Sequence, residues 1–164
     1  MNIAEEQVLN SEQAESEETV SKIDFKMVTF SLSNRDYAID IMKVKEIAKV
    51  KNFTLIPNAA HYISGVYNLR GEIIPIIDLR RMFGIKIEAK NANELENVII
   101  LRLEEQIIGV IVDKINKVVG IDSSTIQPPH PIFNDINIRY ISGVVEHMKK
   151  LFILLDVERM LNKE

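Results

Sequence analysis

The fold is decided by a stretch that the chain contains twice. YISGV at residues 62–66 returns at 140–144, and DLRRMF at 78–83 returns as DVERML at 156–161. Both pairs have the same offset of 78 residues, and eight of the 22 aligned positions are identical. Upstream, segment 30–47 matches 101–118 at an offset of 71 residues. Such self-similarity is the signature of a duplicated structural unit, so we predict two copies of one unit.

The periodicity within both copies is that of β-strands. Val28, Phe30 and Leu32 alternate with small polar residues, and a polar interruption at 34–36 precedes the next apolar run, as in a hairpin with one buried face. Polar residues 104–106 separate two apolar runs in the same way, and β-branched Ile and Val supply most of the predicted core. The sequence therefore predicts an all-β fold of two small β-barrels in tandem, with very little helix.

The repeat also predicts the domain organisation. We place the boundary between the barrels near residues 86–96, which gives one domain at 25–162 with subdomains at about 25–90 and 91–162. The second copy is seven residues longer than the first. We assign the extra residues to the Pro-rich stretch 127–131, because Pro can occupy a loop but not a central strand.

Composition excludes several classes of function. The chain has no Cys, and its three His are far apart in sequence, so we expect no disulfide, no thiolate nucleophile, no metal site and no cofactor. The body lacks a run of Lys and Arg interleaved with aromatic residues, which argues against nucleic-acid binding.

Charge is distributed unevenly along the chain. Residues 1–24 contain seven acids and one Lys, a net charge of −6, whereas the other 140 residues carry +2. This segment is acidic where a signal peptide would be basic and then apolar, and it reads as a disordered, solvated tail. No apolar run approaches the ~20 residues of a membrane helix. We therefore expect a cytoplasmic protein that does not insert directly into the membrane.

Residues that both copies retain favour structural roles. Asp78 and Asp156 each begin a short helical segment, where an Asp side chain accepts the free N–H groups of the first turn. Gly84 and Asn162 stand where a left-handed residue ends that segment. A tight turn or a close backbone approach explains two further glycines, Gly65 and Gly143. A catalytic role for the two aspartates is the less favoured interpretation, because no base or nucleophile accompanies them.

Polar positions that differ between the copies point to function. Residues 68–71, Asn-Leu-Arg-Gly, become Glu-His-Met-Lys at 146–149, and 44–47 diverge from 115–118. At Arg70 two interpretations stay open. The segment is either a plain turn, in which Arg70 points into solvent, or a recognition loop whose Arg70 is fixed by a carboxylate such as Glu46.

Three motifs in order carry a family resemblance. The run 62–80, the segment 37–47, and 108–113 together with 154–156 resemble the CheW-like family of bacterial chemotaxis coupling proteins, over about residues 26–162. The resemblance implies two five-stranded barrels of the Src-homology-3 type that share a hydrophobic core. It implies an adaptor without enzymatic activity, which joins the cytoplasmic tip of methyl-accepting chemoreceptors to the histidine kinase CheA. Such a protein is recruited to the inner face of the membrane through receptors.

The same resemblance implies site residues. The family's receptor-contact positions match Val44, Glu46, Ile47, Gly65, Leu69, Arg70 and Gly71, and its acid–arginine pair corresponds to Glu46 with Arg70. Further groove or kinase contacts match Val98, Ile99, Ile115 and Val118. For these four, burial in the core is the favoured alternative, because continuous apolar runs usually lie inside.

Other classes of protein remain as alternatives. One is the double-barrel regulatory domain of a chemotaxis kinase, which we disfavour because the chain begins with Met and an acidic tail and carries no ATP-binding region. The coupling domain of CheV adaptors is disfavoured because residues 161–164 leave no room for a receiver domain. A different class is a small β-barrel enzyme that acts through Asp78, Asp156 or His147, which lacks a convergent acid, base and nucleophile.

Overall fold

The computed structural model describes residues 22–87, 94–131 and 138–161, and this part of the chain is built mainly from strands. The acidic residues up to 21, the expected cap Asn162 and part of the expected boundary region fall outside the described residues. The strands are β1 (Phe25–Leu32), β2 (Arg35–Asp40), β3 (Val44–Val50), β4 (Ile63–Leu69), β5 (Glu72–Asp78), β6 (Glu96–Arg102), β7 (Ile107–Val112), β8 (Lys114–Ile121), β9 (Ile141–His147) and β10 (Lys150–Leu155). Two short helices follow β5 and β10, namely α1 (Leu79–Phe83) and α2 (Val157–Leu161).

The strands form two five-stranded sheets with equivalent topology. The first has the order β8-β1-β2-β10-β9 and the second β3-β6-β7-β5-β4. Exchanging each strand for its counterpart in the other repeat converts one order into the other. The all-β prediction and the two five-stranded units are confirmed.

Each sheet nevertheless draws strands from both repeats, so the predicted subdomain ranges 25–90 and 91–162 are wrong as descriptions of the two sheets. The first two strands of one repeat join the last three of the other. After β2 a 3₁₀ turn at Ile41–Lys43, capped by Asp40, redirects the chain into β3 of the second sheet. The place beside β2 is taken by β10, which pairs with it in parallel.

Backbone bridges bring the two edges of each sheet together. Thr54, just after β3, exchanges both backbone hydrogen bonds with Val66 of β4, at 3.0 and 2.9 Å. In the other sheet Gln127, after β8, does the same with Val144 of β9, at 2.8 Å. Because β3 and β4, like β8 and β9, are the edge strands, these bridges close each sheet into a barrel.

Glycine is required at both closures. A Cβ at Gly65 would lie 2.4 Å from the Thr54 oxygen, and one at Gly143 would lie 2.8 Å from the Gln127 oxygen. Real Cβ atoms do not approach backbone oxygens so closely. The prediction of a close backbone approach at both glycines is therefore confirmed.

The core has a shared part and a private part for each barrel. The shared cluster combines residues of both sheets, among them Phe30 and Tyr37 from the first and Ile99 and Val110 from the second. Successive side chains of a strand point to opposite faces, so the neighbours of these residues face the barrel interiors. The predicted shared hydrophobic core is thus present, and its two-sided burial explains the continuous apolar runs.

Local predictions about turns and caps also hold. The Asp78 side chain accepts the Arg80 N–H at 3.0 Å, and that of Asp156 accepts the Arg159 N–H at 3.1 Å. Gly84 ends α1 with φ of 69° in the left-handed region. The connection from β8 to β9 is longer than that from β3 to β4 by seven residues, and it contains the Pro-rich stretch 127–131 to which the insertion was assigned.

Candidate functional site

An ion pair joins the two edges of the second barrel. One guanidinium nitrogen of Arg70, in the β4–β5 turn, lies 3.0 Å from Oε2 and 3.3 Å from Oε1 of Glu46 on β3. The Arg70 side chain is 74% exposed, whereas that of Glu46 is 25% exposed. Glu46 shares the strand face of Ala48 and Val50, which pack into the interior of this barrel. The pair therefore lies across one mouth of the barrel and leaves the rest of the guanidinium open to a partner.

Backbone geometry fixes the Arg70 loop. Arg70 and Gly71 both have positive φ, 51° and 89°, as the two central residues of a type I′ hairpin turn require. The Asn68 side-chain oxygen accepts the Gly71 N–H at 2.8 Å. The structure shows both the tight turn and the contact with Glu46, and recognition of a partner by this loop stays a prediction.

The other predicted receptor-contact residues divide into exposed and buried sets. Ile47, 52% exposed beside Glu46, and exposed Gly71 lie at the surface, and Val44 is half-buried against the shared core. Gly65 and Leu69 are buried. Gly65 serves the backbone closure and Leu69 packs under the turn, so neither presents a side chain to a partner.

The predicted groove contacts divide in the same way. Val98 and Ile99 are fully buried in the centre of β6, one facing the second barrel's interior and the other the shared core, so their prediction as partner contacts is corrected. Ile115 packs against the shared core. Val118 is 51% exposed on β8, which makes the core alternative wrong for that residue.

A buried charge cluster was not predicted from the sequence. Arg80 is 3% exposed and binds both carboxylate oxygens of Asp78, at 2.9 Å each, and one of Asp113, at 3.1 Å; a Glu96 oxygen lies 3.6 Å away. Burial alone lowers the pKa of Arg80, but its hydrogen bonds to Asp78 and the charges of its neighbours outweigh burial and raise the pKa above its ordinary value. The signal was visible in the repeat, where Arg80 aligns with an acid, Glu158.

The second repeat uses that acid differently. Glu158 of α2 forms an ion pair with Lys43 of the 3₁₀ turn. This ion pair connects the helix that follows β10 of the first sheet to the turn that leads into β3 of the second. This hydrogen bond raises the pKa of Lys43. Asp78 and Asp156, considered as catalytic candidates, both act as helix caps and each binds an arginine. The geometry thus gives both aspartates structural roles.

Among residues 22–87, 94–131 and 138–161, no three His, Asp or Glu side chains are grouped so that they could hold a metal ion. Within the same ranges, no helix has the length and apolar character needed to span a membrane.

Comparison with known proteins identifies the family. The CheW-like domain matches residues 26–164. A chemotaxis protein CheW of Treponema pallidum is 37% identical over 142 residues, which is 85% of this chain and 84% of that protein. One from Klebsiella aerogenes is 34% identical over 151 residues, or 89% and 90% of the two chains. The crystal structure of the scaffolding protein TtCheW from Thermoanaerobacter tengcongensis superimposes with a TM-score of 0.77 at 34% identity, over 85% of this chain and 94% of that one. With this match and the two equivalent five-stranded sheets, the chain belongs to the CheW-like domain family.

Proposed function

We propose that this protein is a chemotaxis adaptor that couples methyl-accepting chemoreceptors to the histidine kinase CheA and so places kinase autophosphorylation under receptor control. The proposal rests on family membership over the whole described body and on the chemotaxis and scaffolding names of its relatives. The adaptor acts by binding alone, in the cytoplasm, at the inner face of the membrane where receptor tips lie.

The observation that carries the receptor site is the Glu46–Arg70 pair. It holds an exposed guanidinium in a fixed place beside exposed Ile47. A receptor tip is a helical hairpin, and an amphipathic helix binds where an apolar surface is flanked by a charge of defined position. An exposed ion pair contributes only ~0.2–1 kcal/mol to folding stability, so its use is to hold the loop in its binding shape.

The kinase contact is assigned to the face of β8 that carries Val118. Val118 is the exposed member of the four residues matched to groove or kinase contacts, and it occupies the position in the first sheet that Ile47 occupies in the second. Adaptor and kinase regulatory domain then pair through barrels of the same kind, which leaves the Arg70 turn for the receptor.

The coupling proposal is tested by co-sedimentation with receptor-containing membranes and CheA. We expect the protein to join the pellet and kinase autophosphorylation to become dependent on receptor. A protein that stays in the supernatant beside an indifferent kinase would refute the adaptor function. Turnover assays are then the measurement that separates an enzyme from an adaptor.

The receptor site is tested by substitution. Arg70→Ala is expected to weaken receptor binding by about tenfold, the effect of a moderate arginine hot spot, without unfolding the protein. Arg159→Ala is the matched control, because Arg159 is also exposed and paired with an acid but lies on α2. Exchange of the two charges, Glu46→Arg with Arg70→Glu, should recover part of the loss. A double variant no better than the sum of the single variants would remove the pair from the site.

A further inference from the structure

The equivalence of the two barrels exposes one position where they differ. Lys117 on β8 is the counterpart of Glu46, and Met148 in the β9–β10 turn is the counterpart of Arg70. Lys117 shares the strand face of Val119, which packs into the interior of the first barrel. Where an ion pair lies across the mouth of the second barrel, the first barrel has a lysine opposite a methionine, and no ion pair of Lys117 to a described residue is formed.

That mouth is an open groove of about 210 Å³. Its floor is apolar, since Val119 and Phe152 of the first barrel's interior line it. Its rim carries Lys117 and Lys150, with Asp36 as the opposing acid. The Asp36 carboxylate is within 3.4 Å of the Ser31 hydroxyl.

A neighbouring lysine adds to the positive charge of the rim. His147 lines the groove, and Lys149 is exposed in the adjacent turn. Lys150 aligns with Glu72 of the first repeat, so two glutamates of the first repeat, Glu46 and Glu72, have lysines as their counterparts in the second. The groove and the adjacent turn therefore carry three lysines, Lys117, Lys149 and Lys150, and one aspartate, Asp36, which gives this mouth an excess of positive charge.

A segment of opposite charge is attached nearby. Residues 1–21 contain six glutamates and no Lys or Arg, with apolar residues such as Val8 and Leu9 between them. The segment joins the body at Asp24, which is anchored beside β8 by its N–H to the Ile121 oxygen and by its carboxylate to Ser123. The anchored Asp24 carboxylate accepts two hydrogen bonds from Ser123, which lowers its pKa.

The distances permit contact within one molecule. From Phe25 to Thr29, which lines the groove, is four strand residues, or about 13 Å. A chain of 21 residues spans up to about 70 Å when extended, which exceeds this distance several times over.

We propose that the acidic segment 1–21 of the same chain docks on this basic groove, with a glutamate facing Lys117 and Lys150 as Glu46 faces Arg70 in the other barrel. The segment's apolar residues cover the floor formed by Val119 and Phe152.

The test uses a nitroxide on the full chain. The protein has no Cys, so Ser11→Cys gives one labelling site in the acidic segment. Paramagnetic broadening is measured on backbone amides of the 147–149 turn and, as an internal control, of the equivalent turn at 69–71. We expect the first turn to lose more than half its peak intensity and the second to keep it. Raising the salt from about 0.1 M to about 1 M shortens the screening length from about 10 Å to about 3 Å and should restore the signal.

Matched variants separate docking from other outcomes. Lys117→Glu with Lys150→Glu should abolish the broadening, whereas Lys49→Glu with Lys51→Glu, the same change of charge on the other sheet, should not. Replacing the six glutamates with glutamine is a second test that leaves the folded body untouched and should also abolish it. Three outcomes would overturn the proposal. The first is an equal loss of broadening in both pairs of lysine variants, and the second is equal broadening of the 147–149 and 69–71 turns. The third is broadening between labelled and unlabelled molecules, which would make a second copy of the chain the occupant.

Discussion

Removal of the buried guanidinium of Arg80 should be the most damaging single change of a charged residue in this fold. Arg80 and Asp78 are each 3% exposed and share two hydrogen bonds of 2.9 Å. In Arg80→Met the side-chain volume is largely kept, but the Asp78 carboxylate stays buried with only the backbone N–H at position 80 and a distant Arg81 nitrogen at 3.8 Å. Leaving one partner of a buried pair uncompensated costs about 3–5 kcal/mol.

Urea unfolding measures this loss. With an m value of about 2 kcal/mol per molar, the midpoint should fall by about 2 M. Arg159→Met is the matched control, since Arg159 is mostly exposed and its pairing with Asp156 should contribute no more than about 1 kcal/mol. Adding Asp78→Asn to Arg80→Met removes the stranded charge while retaining a capping side chain, so the double variant should be more stable than Arg80→Met alone. If Arg80→Met lost no more stability than Arg159→Met, the reasoning from the buried cluster would be refuted.

Three further changes test other parts of the fold. Gly65→Ala should lower the free energy of unfolding by more than Gly84→Ala, because a Cβ at position 65 meets the Thr54 oxygen whereas a Cβ at position 84 meets open space. Equal losses in urea titrations would contradict the close backbone approach between Gly65 and Thr54. Lys149→Gly should raise the melting temperature, with a gain of about 1 kcal/mol, because Lys149 has φ of 66° in a turn that favours glycine, and an unchanged temperature would argue against strain there. The Asp24→Asn variant should be less stable than the original protein, by an amount that is constant above the ordinary carboxyl pKa of 3.8. Because folding lowers the pKa of Asp24, this difference in the free energy of unfolding should shrink as pH falls through the lowered pKa. A difference that grows in acid would contradict the prediction.

Hairpins and helix caps were predictable because each depends on residues close together in sequence, and the duplication because its two copies retain identical residues. Alternation of apolar residues located β1 and β2, and Asp78 marked the start of α1. The family resemblance placed Glu46 beside Arg70, and the structure brings these side chains together.

The exchange of strands was not predictable from these patterns. Periodicity states which face of a strand is buried but not which strand lies beside it, and two arrangements of equivalent repeats bury the same residues. Val98 and Ile99 were hard to assign for a related reason, since a strand buried on both faces and a groove-lining strand have the same apolar sequence. Val118 was misjudged because its apolar neighbour Val119 is the one that faces the interior.

The Arg80 cluster was missed because its partners come from three separate segments. Asp78 is adjacent in sequence, but Asp113 lies 33 residues away at the junction of β7 and β8. Only the folded sheets bring these groups together. A comparison of the repeats that asked which charges change sign would have included Arg80 and Glu158, together with the pairs Glu46/Lys117 and Glu72/Lys150.

The crossed origin of the two sheets has a consequence for how such a chain can arise. A single repeat contributes its first two strands to one sheet and its last three strands to the other, so it forms no complete sheet by itself. Two copies that exchange strands in this way complete both sheets. Joining the two copies in one chain keeps this packing while leaving each half free to differ from the other. Glu46 and Lys117 are an example of such a difference, since one position of the repeat carries opposite charges in the two barrels.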